Sequence, residues 1–207
     1  MWIQMDKNYT PVLGLWVGAV LLILNPLPVK PLSTLLGTTD ISTTLRSLHS
    51  LLLIPDSIED PICTFHKSFP NFLMDPKQCK DERFFVDPLV HHRELLLSCL
   101  NLMKKGLKKN ICNLDDHVTL SEVKDLSTHQ KTHIGSALGY ACCFWTRHLA
   151  ETPSDGYDSE EIWKAIDEFF TTHLLFWIEV LAIMGNLGIG IHAINDIKQW
   201  YISVSCK

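Results

Sequence analysis

Residues 51–66 read LLLIPDSIEDPICTFH. Pro55 stops the apolar run that precedes it, and Asp56 to Pro61 is polar and turn-like. Ile62, Thr64 and His66 then alternate with Cys63 and Phe65, the pattern of a short strand. Leu51 to Ile54 marks the point where helix gives way to strand, so the stretch predicts a small two-stranded ribbon.

Upstream, Val12 to Leu24 (VLGLWVGAVLLIL) predicts a helix ended by Asn25, Pro26 and Pro28. Leu32 to Leu36 is a short second helix, closed by Gly37 in the left-handed conformation. A third, ISTTLRSLHSLL (41–52), follows Asp40 as its cap, with Ile41, Leu45, Leu48, Leu51 and Leu52 on one face. Three helices followed by a ribbon is the order of a winged helix.

Downstream, Phe69 to Leu73 predicts a short helix with Pro70 near its start. QCKDERFFVDP (78–88) is irregular. LVHHRELLLSCLNLMKKGL (89–107) is strongly amphipathic, with its lysines toward the C-terminal end, where the helix dipole favours cations. HIGSALGYACCFWTRHLAE (133–151) predicts another helix. Pro153 to Ser159 is a loop, and residues 160–185 form one long helix or two abutting ones. A last helix is expected from Asn195. The fold class is therefore mainly α: a winged-helix-like domain at 10–86 with a small two-stranded wing, then an all-helical domain at 87–207. YACCFWTRHL and HLLFWIEVL each place a Phe-Trp pair on a helix, which suggests stacked, superhelical hairpins.

The chain has 207 residues, 46% hydrophobic and 20% charged, with a net charge of -5. That is enough to bury a core, and no global positive field draws it to nucleic acid or an anionic membrane. Residues 12–24 fall short of the roughly 20 needed to span a bilayer, so they read as a buried helix; membrane anchoring through them is the alternative. Leu174 to Ile194 is interrupted by Glu179, Asn186 and three glycines and reads as a core helix and its turn. Seven cysteines, with no CxxC pair, read as reduced thiols of a cytoplasmic protein.

Motifs of catalysis are missing: no GxxxxGK[ST], no GxGxxG, no HExxH, and Ser68 lies in HKSFP rather than GxSxG. Cys63, His66, Cys79, His91 and His92 offer zinc-ligand chemistry, but their spacings match no common finger. As a DNA-recognition helix, TTLRSLHSLL supplies only Arg46 and His49, whereas backbone binding needs several cations. A winged-helix DNA-binding protein thus stays the alternative. Lys104, Lys105, Lys108 and Lys109 are expected to face the acidic stretch from Glu151 to Glu168. The tryptophans at 145, 163, 177 and 200 are expected to fill a helical core.

The stretches LHSLLLIPDSIEDPICTFHKSFPNFLMDP, RFFVDPLVHHRELLLSCLNLMKKGLKKNICNL, ALGYACCFWTRHLAE and FFTTHLLFWIEVLAIMGNLGIGIHAINDIKQW, with residues 12–37, carry a resemblance. The chain resembles the fungal NACHT class of signal-transduction NTPases, which is NOD-like-receptor-like, in the region between the nucleotide-binding core and a C-terminal WD-repeat propeller. FHKSFPNFL and HHRELLLSCLNLM are its more specific parts. The resemblance implies a non-catalytic regulatory or scaffold piece without the nucleotide-binding core, hence a truncated product. Its partner would be a nucleotide-binding domain of the same family or a related chain, with weak self-association and no nucleic acid, membrane, metal or cofactor of its own. It also implies that His66 is the histidine that contacts an ADP phosphate when such a domain is present. Lys67 stands where animal and plant relatives have aspartate, and Asn71 where fungal ones often do.

Overall fold

The computed structural model describes residues 11–38, 52, 53, 55, 57, 59–64, 66, 68–81, 84–115, 117–152 and 159–205, with the side chains of 11–13, 204 and 205 left undescribed. The fold is mainly helical, with a small two-stranded antiparallel sheet preceding further helices. The expected third helix, with Arg46 and His49, lies outside the described residues except for its last residue, Leu52, which belongs to the sheet instead.

Helix α1 spans Pro11–Leu22 and α2 spans Val29–Leu36. Gly37 closes α2 at φ 66, and the N–H groups of Gly37 and Thr38 bond back to Thr34 and Ser33 carbonyls. This is the left-handed stop that a glycine makes without strain. Strand β1 (Leu52–Leu53) pairs antiparallel with β2 (Cys63–Thr64), Leu52 opposite Thr64. The short helix α3 is Ser68–Met74.

Helix α4 runs from Pro88 to Gly106. Asp87 caps it, its carboxylate accepting the Leu89 N–H at 3.0 Å, and Pro88 takes the first helical position. A short α5 (Leu126–His129) passes through one π-helical turn (Gln130–Ile134) into α6 (Gly135–Ala150). Then come α7 (Ser159–Thr172), α8 (Leu174–Ile183) and α9 (Leu187–Ser205).

Helix α6 is the central element: α4, α9, α2 and α8 all pack on it. Tyr140, Ala141, Cys142, Trp145 and Leu149 are buried almost completely. Trp145, Trp177 and Phe169 meet ring to ring, with centroids 5.0–6.0 Å apart, so both Phe-Trp pairs send their tryptophan into one aromatic cluster. Trp177 also donates its indole N–H to the Cys142 carbonyl at 2.8 Å. Trp163 departs from the expected core role: it is 42% exposed and packs on Tyr201.

Helix α1 lies against α4, and Trp16 is wholly buried. The parts before and after residue 86 share one continuous hydrophobic core. Among the described residues, no helix is long and apolar enough to cross a membrane.

The last helix starts eight residues before the expected Asn195. Gly185, at φ 71, makes the turn alone. Gly188 and Gly190 are helical, and at Gly190 an added Cβ would meet Leu181 at 3.3 Å and Trp177 at 3.7 Å. These glycines had suggested a turn; one of them is there for close helix packing.

Candidate functional site

His66 lies just beyond β2, exposed, at the entry to α3. Its Nδ1 accepts the Ser68 backbone N–H at 3.1 Å and lies 2.7 Å from the Ser68 hydroxyl. The Phe69 N–H bonds to the His66 carbonyl at 3.1 Å. The ring therefore caps the helix as a side-chain acceptor does. A nitrogen that accepts a backbone N–H carries no hydrogen of its own, so in the neutral ring the hydrogen sits on Nε2. The Ser68 hydroxyl beside an imidazole nitrogen is half of a nucleophile–base pair, but that nitrogen is already occupied as a cap. Phe65 and Lys67 lie outside the described residues; Asn71 is exposed on α3.

The residues weighed as zinc ligands go separate ways. The Cys79 thiol lies 3.7 Å from the Asp81 carbonyl, His91 pairs with Glu94 at 2.7 Å, and His92 turns into the core. Among the described residues, no three His, Cys, Asp or Glu side chains are grouped to hold a metal ion.

The basic end of α4 does face the acidic stretch: Lys104 meets Glu168 at 2.5 Å, and nearer its start Arg93 pairs with Glu161. Lys105, Lys108 and Lys109 are exposed.

The site that sequence reasoning missed is a buried polar relay. The Leu24 N–H lies 3.2 Å from the Tyr140 hydroxyl oxygen. That hydroxyl lies 2.8 Å from His148 Nε2, and His148 Nδ1 lies 2.9 Å from His92 Nδ1. His148 is fully buried and His92 nearly so. Leu24 can only donate, so Tyr140 accepts from it and gives its hydrogen to His148 Nε2. His148 then donates through Nδ1 to His92. One direction satisfies every link with both rings neutral.

Burial disfavours the imidazolium and holds His148 down at about 3; the neighbouring His92 adds to the shift. His92 is also lowered by burial, against the pull of Glu151. Burial likewise pushes the Tyr140 hydroxyl and the Cys99 and Cys142 thiols upward, so none of them ionises near neutral pH.

A signal was available in the sequence. His92 shares helical phase with Leu95, Leu96 and Cys99, and His148 with Ala141 and Trp145, so both fall on apolar faces. No family model matches the chain, no curated protein matches its sequence, and no solved structure matches its fold.

Proposed function

We propose that the chain is a non-catalytic regulatory and scaffold module of a nucleotide-switched signalling protein of NACHT type. It docks, in this reading, on a nucleotide-binding domain through the surface that carries His66. The observation behind this is the state of that ring: exposed, its Nδ1 taken by Ser68, its Nε2–H without a partner among the described residues. A phosphate oxygen is an acceptor, and a bond from such a donor to a charged acceptor contributes about 1.5–3 kcal/mol. That is a bias of roughly ten- to a hundredfold between a docked arrangement and an open one. All six cysteines among the described residues are free thiols, in keeping with a cytoplasmic site of action.

Two substitutions separate the cap from the phosphate contact. Asparagine places an oxygen where Nδ1 stands and keeps the cap; glutamine reaches to where Nε2 stands and keeps the outward donor. Association with an ADP-loaded NACHT nucleotide-binding domain, followed by calorimetry, should weaken about tenfold or more in His66→Asn and less in His66→Gln. The isolated chain should bind ADP negligibly. Micromolar ADP binding by the chain alone, or no preference for the ADP-loaded domain over the ATP-loaded one, would overturn the reading.

A further inference from the structure

The relay joins three elements at points far apart in sequence: the turn after α1 at Leu24, α6 at Tyr140 and His148, and α4 at His92. Its direction is the one in which Tyr140 accepts from Leu24 and its own buried hydrogen also finds an acceptor. A proton added at His92 makes both of that ring's nitrogens donors, so His148 Nδ1 must become the acceptor. The His148 hydrogen then moves to Nε2 and points at Tyr140. The hydroxyl oxygen now faces two donors, Leu24 and His148, while its own hydrogen, buried, has lost its acceptor. An unsatisfied buried donor is costly, and turning the hydroxyl toward another acceptor competes with the bond from Leu24.

We propose that this relay is an acid-released latch, in which proton uptake at the His92–His148 pair is read out as release of the α1 turn at Leu24.

The surroundings set the order of events. His92 is the less buried ring and feels the opposite charge of Glu151, just past α6; it takes the proton first. His91 beside it on α4 opposes that charge and is itself engaged by Glu94. Cys99 on α4 is a protonated thiol beside Tyr140, and beyond it stands the protonated Cys142 of α6, next to Cys143. Arg93 on α4 and Glu161 on α7 form an ion pair. Helix α1 carries no ionisable side chain, and α2 only the exposed Lys30. Nothing charged on α1 compensates the incoming proton, so the response falls on its hydrogen bond.

Both rings have folded values below the ordinary 6.5. Burial is the main cause, so below pH 6.5 the latched state binds fewer protons than a released state in which the loosened turn admits water to the pair. Latching is complete above that pH and weakens as pH falls, about tenfold per unit for one proton taken up.

Amide exchange of the full chain, corrected for intrinsic rates, tests this between pH 7.5 and 4.5. Protection at Leu24 should fall about tenfold per pH unit below 6.5, while protection in α8 around Trp177 persists. Acrylamide quenching of the buried Trp16 should rise in step. In Tyr140→Phe the Leu24 amide should already be poorly protected at pH 7.5 and its pH dependence nearly flat. His92→Gln should flatten the wild-type profile; if that variant does not fold, Tyr140→Phe decides. Three outcomes would overturn the latch: a flat wild-type profile at Leu24, loss of α8 protection in parallel with it, or a Tyr140→Phe profile that follows the wild type.

Discussion

Glu179 sits on α8 between Ile178 and Val180, and its carboxylate accepts the backbone N–H groups of Asn110 and Ile111 at 3.1 and 3.3 Å. Asn110 has φ 49, and its side chain bonds both the N–H and the carbonyl of Leu114. The turn after α4 is thus held at two points, one local and one contributed by a residue far along the chain. Hydrogen bonds to a charged acceptor contribute about 1.5–3 kcal/mol each. Glu179→Ala should cost about 3 kcal/mol in urea denaturation, and Glu179→Gln, which keeps one acceptor oxygen, about half as much. An unchanged midpoint in the alanine variant would rule the brace out. In the sequence Glu179 is visible only as a charge in a greasy segment. Its partners are two backbone amides, which no residue pattern records. His66 differs, because its cap is local: Ser68 follows two residues later, and the turn before a proline-bearing helix is legible by eye.

At the scale of elements, periodicity places α4 and α7 well, because each buries one face against α6 or the aromatic cluster, while α6 and α8 are marked by their apolar runs. The break between α7 and α8 falls at His173, at φ -123, where the sequence allowed either one helix or two. Threonines 171 and 172 bond back to carbonyls at 167 and 168, competing with the helix's own ladder at its end. What the sequence does not display is how closely two helices approach. Gly18 of α1 is the clearest case: an added Cβ would sit 2.5 Å from the His91 ring of α4. That ring is pinned by Glu94 and has little room to turn aside. Gly18→Ala gains helix propensity of about 1 kcal/mol, yet overpacking costs about 1–3 kcal/mol. The clash is with a ring rather than a flexible tip, so the net effect should be destabilising, read as a lower thermal midpoint. A raised midpoint would show that α1 slides freely on α4.

The described residues share one core, with α6 at its middle and α9 on its outside. Helix α9 buries Ala193 and Trp200 against that core. Its other face leaves Leu187, Ile191 and Ile194 at 52–68% exposure, followed by Tyr201 and Ile202 at 47% and 43%. The exposed positions 187, 191, 194, 198 and 201 recur at four and three, the spacing of a coiled-coil seam. Leu187 and Tyr201 each lie seven residues from Ile194, so an antiparallel pair about a twofold at Ile194 sets one against the other. Lys198 interrupts the seam and keeps such pairing weak. Sedimentation velocity should show concentration-dependent self-association that Ile191→Glu with Ile194→Glu abolishes while helical content is unchanged. The acids lie on an exposed face, so folding should tolerate them. A wild-type chain that sediments as a monomer at every concentration would leave these side chains as isolated surface apolars, as many folded proteins carry.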